Sequence, residues 1–331
     1  MRWPFKDQCG GQVKSALPGG LKPGNLRGGA GGLAAASAKS ANEDETSMDL
    51  PHTPPKQSAL RVAELRAVHQ ALDVPLVFED GLAFALLGDA KAKSIRDNLA
   101  RYDTPLLKGL RASVVARARL AEDEWAEAAR RGVRQYVILG AGLDTFAYRN
   151  RDALGGRVFE VDLPATQQWK RDLLRAAGLS EPASLTFVPI DFERSTLGEA
   201  LGRSDFRSGE PAFFSWLGVS MYIEEEAVMS TLRFVAALAR GSGLVFDYGL
   251  PPALLSPREQ RGLECIATRT AEHGEPWKTL FVPETLIGAL GSLGFSEVED
   301  FDAERINARY FSGRADALRK SGVSRLICAR V

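Results

Sequence analysis

A glycine pair followed at a distance by acids sets the chemistry open to this chain. Gly140-Ala141-Gly142 closes the apolar run Tyr136-Val137-Ile138-Leu139 and leads into Leu143-Asp144. Asp162 ends a second run, Val158-Phe159-Glu160-Val161-Asp162, twenty-two residues after Gly140. A buried strand, a glycine turn, a crossover and an acid-tipped second strand make a nucleoside cradle. Glycine lets the backbone approach a ligand closely, and the carboxylate can accept the hydroxyls of a ribose. The spacing is close to the ~20 residues of nucleotide-binding βαβ units. Asp162 is therefore the expected ribose acid; its plainer role is to cap a helix before Pro164. Glu160 alternates with it and is expected to face the same pocket or solvent. Asp191 ends a third run, Val188-Pro189-Ile190, where it can accept from an adenine amino group or simply make a turn. Phe192 beside it can cover the ring.

The loop also discriminates between cofactors. A dinucleotide fingerprint needs a third glycine and rests a pyrophosphate on a helix N-terminus. Here Gly140-x-Gly142 is followed by Leu143, Asp144 and Thr145. Asp144 repels a diphosphate but can accept from an ammonium. S-adenosyl-L-methionine has no phosphate, carries a sulfonium and an amino group, and keeps the ribose. It suits the loop better than NAD, with Gly140, Ala141 and Gly142 lining its methionine end. An NAD-dependent oxidoreductase is the rival reading. Against it stands the lack of a Tyr-x-x-x-Lys pair, since Glu226 lies four residues after Tyr222. A non-catalytic module that only binds S-adenosylmethionine is a third.

Composition narrows the class. Lys+Arg and Asp+Glu are equal at 42 each, so bulk charge gives no case for nucleic acid or an anionic membrane. Cys9, Cys265 and Cys328 are scattered and form no metal-ligand spacing, which fits reduced thiols in a cytoplasm and no bound metal. No run approaches the roughly 18 apolar residues of a membrane span. The start, Met1-Arg2-Trp3-Pro4, lacks the apolar region of a secretory signal.

Residues 1–57 are rich in Gly, Ala, Ser and Pro and are expected to be a disordered extension. Met48 as the true start and a transit peptide are the alternatives. From 58 to 331 one domain is expected, with a helical lid over 58–131 and a sheet core over 132–331. Leu60, Val62, Leu65, Val68 and Leu72 recur at helical spacing, Asp80 to Leu87 reads as a short helix, and Leu106 to Arg131 is alanine- and arginine-rich. Strands are expected at Tyr136–Leu139, Arg157–Val161, Leu185–Ile190, Ala212–Trp216 and Gly243–Tyr248, alternating with helices such as Glu225–Ala239. Pro283 opens a helix that Gly294 stops. Phe295–Phe301 and Ser324–Val331 are two more strands around a polar insert. The fold class is α/β: a doubly wound, mostly parallel sheet with an antiparallel C-terminal strand, the layout of class I methyltransferases.

Several motifs in order give the chain a family resemblance. They are Val137-Ile138-Leu139-Gly140-Ala141-Gly142-Leu143-Asp144-Thr145, Glu160-Val161-Asp162-Leu163-Pro164, Val188-Pro189-Ile190-Asp191-Phe192, Phe214-Ser215-Trp216-Leu217-Gly218-Val219-Ser220-Met221-Tyr222, Glu275-Pro276-Trp277-Lys278 and Arg309-Tyr310-Phe311. The chain resembles the leucine carboxyl methyltransferase family and its bacterial O-methyltransferase branch over about residues 58 to 331. The resemblance implies an S-adenosylmethionine-dependent O-methyltransferase acting on a carboxyl or hydroxyl of a small metabolite. It places cofactor contacts on Asp162, Asp191 and Phe192, and makes Arg117 the clamp on the cofactor carboxylate. Arg111, Arg117 and Arg119 could equally be a solvated helix face. Two positions depart from the family: Phe146 replaces a common Arg, and Leu217 replaces an acid found beside the cofactor in several members. On the acceptor side His273 is a candidate base or a plain surface loop residue. Tyr222, Arg309 and Tyr310 are candidate pocket walls or ordinary packing.

Overall fold

The computed structural model describes residues 57–152 and 155–331. The readings for the segment before Gln57 lie outside the described residues. Four helices come first: α1 (Gln57–Leu72), α2 (Ala83–Leu87), α3 (Asp89–Arg96) and α4 (Pro105–Arg130). The sheet then alternates with helices as β1 (Gln135–Leu139), α5 (Phe146–Arg149), β2 (Arg157–Asp162), α6 (Pro164–Ala176), β3 (Leu185–Pro189), α7 (Leu197–Gly202), β4 (Ala212–Trp216), α8 (Glu225–Ala236) and β5 (Gly243–Gly249). The chain closes with α9 (Pro257–Glu272), α10 (Pro283–Leu293), β6 (Glu297–Phe301), α11 (Ala303–Tyr310) and β7 (Ser324–Arg330).

The strands form one seven-stranded sheet in the order β3-β2-β1-β4-β5-β7-β6. The first five are parallel, and β7 runs antiparallel to both of its neighbours. Chain order reverses at β1, between β2 and β4. Open α/β sheets bind ligands outside the strand C-termini at such a switch point. Gly140 follows β1 directly, so the sheet puts the glycine loop there.

Alternation along the strands feeds two cores. Tyr136, Ile138, Val158 and Val245 face α4, where Trp125 stacks on Tyr136 with ring centroids 4.9 Å apart. Val137, Leu139, Phe159, Phe214 and Phe246 face the other way, towards α8 and α10. Helix α4 starts cleanly because the Thr104 side chain accepts from the Leu107 amide and Pro105 occupies the first turn.

Two expectations are corrected, and one element is added. Arg111 is fully buried: its Nε and Nη2 grip Asp73 at 2.6 and 2.8 Å, and His69 Nδ1 donates to the same carboxylate at 2.7 Å. His69 Nε2 accepts from the amides of Val77 and Phe78, so the ring is fully used in tying the turn after α1 to α4. The short helix starts at Ala83 rather than Asp80, because the Asp80 carboxylate takes the Leu82 amide and holds a turn. The insert before the last strand contains α11, capped by Asp302 on the Arg305 amide. Its apolar stripe is only Ile306 with Tyr310, too narrow to read from periodicity.

Candidate functional site

The glycine loop is built by backbone bonds to β2. The Gly140 and Ala141 amides both donate to the Val161 carbonyl, at 2.8 and 3.2 Å. Gly140 has φ +63°, and a Cβ there would overlap the Val219 side chain. Only glycine fits both the conformation and the contact. Asp162, half-buried, then accepts the Gly142 amide at 2.6 Å and the Leu163 amide at 2.7 Å. Burial pushes its pKa up; the two amides and the Thr166 hydroxyl pull it back. Leu163, not Asp162, is the cap residue of α6, and it makes no side-chain cap. The carboxylate therefore braces the loop, and its two oxygens have lone pairs beyond these bonds.

Glu160 faces neither a cleft nor solvent. Strand alternation puts it one layer beneath Asp162, fully buried, where Lys170 of α6 meets it at 2.5 Å. Burial pushes its pKa up to about 7 despite that partner. Asp144 accepts the Phe146 amide at 2.7 Å, and Arg66 of α1 lies 4.0 Å from its other oxygen.

The neighbouring strand ends converge on this loop. The Ile190 amide donates to the Asp162 carbonyl at 2.9 Å, so the chain leaves β3 beside Asp162. Asp191 accepts the Glu193 amide at 3.0 Å in a turn and stays partly exposed. The Phe192 ring tilts 32° against Trp216, at 6.2 Å, and walls a groove of about 690 Å³ that Glu193, Glu224 and Lys278 also line. Arg117 reaches the site from α4, its Nη1 2.8 Å from Asp247 in β5. The other Asp247 oxygen accepts the Gly218 amide at 2.5 Å. Gly218 has φ +71°, and a Cβ on it would overlap the Arg117 guanidinium.

On the remaining side Tyr222 meets Trp277 edge to face at 6.3 Å. Burial raises the Tyr222 pKa, so its phenol stays protonated at neutral pH. The Lys278 amide donates to the Met221 carbonyl at 2.7 Å, which fastens the Trp277 segment to the turn after β4. Glu275 is buried and accepts the amide and hydroxyl of Ser58 at 3.0 and 2.7 Å. Helix α1 thereby crosses the glycine loop: Ala59 would lie 3.2 Å from a Cβ on Gly142, and Arg66 donates to the Leu143 carbonyl.

The structure brings Arg117, Gly140, Ala141, Gly142, Asp162, Asp191, Phe192 and Tyr222 to one edge of the sheet. His273 is exposed at the end of α9, with Nδ1 on the Arg269 carbonyl at 2.7 Å. Tyr310 donates to Asp123 and Arg309 lies near Asp123 and Glu124, which ties α11 to α4 instead of lining the loop. Asp247 and the Ser58 contact escaped the sequence reading, and Glu275 entered it only as part of a motif, with no role. A lone acid inside the apolar run Gly243–Gly249 was the one available signal.

This chemistry fits a ligand without phosphate. The Gly142 amide is taken by Asp162, Asp144 stands next to it, and Arg66 is spent on Leu143, Asp80 and Asp144. A diphosphate would meet carboxylates there, whereas a ribose or an ammonium would find acceptors. Among the described residues no helix is long and apolar enough to cross a membrane.

Comparison with known proteins agrees. The leucine carboxyl methyltransferase family model matches residues 59–236. The Bacillus subtilis (strain 168) protein YktD, assigned by name as an S-adenosyl-L-methionine-dependent methyltransferase, is 33% identical over 283 residues, covering 79% of this chain and 93% of that protein. A Mycobacterium marinum protein so assigned is 31% identical over 231 residues, with coverages of 70% and 72%. A crystal structure of a DUF574 family protein from Streptomyces avermitilis superposes with a TM-score of 0.51 at 17% identity, over 75% of this chain and 94% of that one. That likeness shows the fold alone.

Proposed function

The chain belongs to the leucine carboxyl methyltransferase family and is an S-adenosylmethionine-dependent methyltransferase; from that premise we propose that it methylates an oxygen of a small metabolite, a carboxylate before a hydroxyl. When bound, the cofactor supplies a methyl group on a sulfonium that leaves readily. In this reading Asp162 holds the ribose, Asp191 and Phe192 flank the adenine, and Gly140, Ala141 and Gly142 line the methionine end, whose carboxylate Arg117 clamps. Helices α1 to α4 form the lid that keeps water out. The protein's own contribution is then positioning and desolvation.

One observation favours a carboxylate. Beside the loop, the Tyr222 phenol is held protonated by burial, and Glu275 already binds Ser58. Neither is placed to take a proton, and an acceptor that is already ionised needs no base. The close approach of α1 to Gly142 favours a small acceptor over a protein chain end. Cys9, Cys265 and Cys328, scattered without paired spacing, favour a cytoplasmic setting. The test is transfer of labelled methyl to a panel of small carboxylic acids and phenols, followed by alkali. Label released as methanol supports an ester. Alkali-stable label would move the acceptor to a hydroxyl, and transfer to neither class would remove the oxygen assignment.

A further inference from the structure

We propose that Asp247 is a positioning residue of the methyl-donor site: one carboxylate that sets both the Arg117 guanidinium and the turn after β4. The proposal rests on the methyl-donor reading above and adds a residue that no motif contains.

Asp247 interrupts an apolar strand. Val245 faces α4, while Leu244, Phe246 and Tyr248 face the opposite core. Alternation puts Asp247 on the α4 side, and it is 3% exposed. A buried carboxylate persists only where its partners replace water. Here they are Arg117 Nη1 at 2.8 Å on one oxygen and the Gly218 amide at 2.5 Å on the other. The Asp247 carbonyl also accepts the Ser220 hydroxyl at 2.6 Å. One residue of β5 thus fixes α4 and both ends of the turn 218–220. That turn carries Val219, which packs against Gly140 in the donor loop. Holding Arg117 by Nη1 leaves Nε and Nη2 to form a fork towards a ligand carboxylate. Without the acid, the guanidinium loses its fixed orientation and the turn loses its anchor.

The proposal predicts a loss confined to the amino-acid end of the ligand. Affinities for S-adenosylhomocysteine and for 5′-methylthioadenosine, which lacks that end, are measured by calorimetry on the full chain. Asp247→Asn is expected to weaken S-adenosylhomocysteine at least about ten-fold, the usual scale for breaking a buried charge pair. Methylthioadenosine should stay within about two-fold of wild type, since uncoupled contacts add independently. Arg117→Ala should show the same selectivity, and the double variant should bind no worse than Arg117→Ala alone. An equal loss for both ligands would reduce Asp247 to a folding role and overturn the proposal, as would no loss for either. Should Asp247→Asn fail to fold, Asp247→Glu, which keeps the charge but shifts it by a methylene, is read on the same ligand pair by the same criteria. A wild-type protein that binds neither ligand would overturn the donor reading and this assignment with it.

Discussion

Asp162 serves the fold and, in the proposed reading, the ligand with one carboxylate. Its bonds to the Gly142 and Leu163 amides shape the loop, and a carboxylate has further lone pairs for a ribose. Asp162→Ala removes both, so S-adenosylhomocysteine should bind at least about ten-fold more weakly, the loss of roughly one charge-assisted hydrogen bond. Equal calorimetric affinity in the two proteins would cancel the ribose assignment. The residue beneath it makes a different prediction. Glu160 has its pKa raised from 4.5 to about 7, first by burial and then by the nearby Asp144 and Asp162 charges, with Lys170 opposing. A raised acid binds a proton more tightly in the folded chain than in the unfolded one. Its stabilising effect is full below the unfolded value and is lost as pH rises through the folded one. Melting temperature should therefore fall between about pH 5 and pH 8, and Glu160→Gln should flatten that slope. An unchanged slope would show that this carboxyl does not titrate in the window.

At the scale of elements, the feature to explain is how α1 stays over the glycine loop. The first amides of a helix have no partner within it. For α1 that partner comes from Glu275, 217 residues away, which also binds the Ser58 hydroxyl. A carboxylate at a helix N-terminus is favourable for its charge as well as its hydrogen bonds. Glu275→Ala should free the first turn of α1 at a cost of about 1–2 kcal/mol. Hydrogen exchange should speed up at residues 57–60 while Trp125 and the sheet stay protected, and S-adenosylhomocysteine should dissociate faster. Uniform loss of protection would mean instead that Glu275 supports the whole fold. This latch was not legible. Leu60, Leu65 and Val68 announced the helix, and Pro283 with Gly294 announced α10 to the residue, because caps and periodicity are local signals. A cap supplied from a distant loop leaves no mark near Ser58.

For the molecule as a whole, all seven strands fall within two residues of their sequence-based bounds, and the central β1 and β4, buried on both faces, read as largely apolar runs. The glycine loop and the acids Asp162 and Asp191 were legible because each sits where an apolar run stops. The buried ion pairs were not: Arg117 and Asp247 are 130 residues apart, and nothing local distinguishes Arg117 from the exposed Arg119. What joins the parts is β7. It pairs with β5 along Gly243–Gly249 and with β6 along Glu297–Phe301, so among the described residues β6 joins the sheet through β7. Its Leu326, Ile327 and Ala329 are almost wholly buried, facing both cores in turn. Losing Leu326 and Ile327 alone would cost about 4–10 kcal/mol, comparable with the 5–15 kcal/mol that holds a typical domain together. A chain ending at Val323 should therefore fail to fold, with collapsed far-ultraviolet circular dichroism and aggregation on gel filtration. Because β5 carries Asp247 opposite Leu326, a folded truncation that still bound S-adenosylhomocysteine would show that the donor site does not need the antiparallel edge.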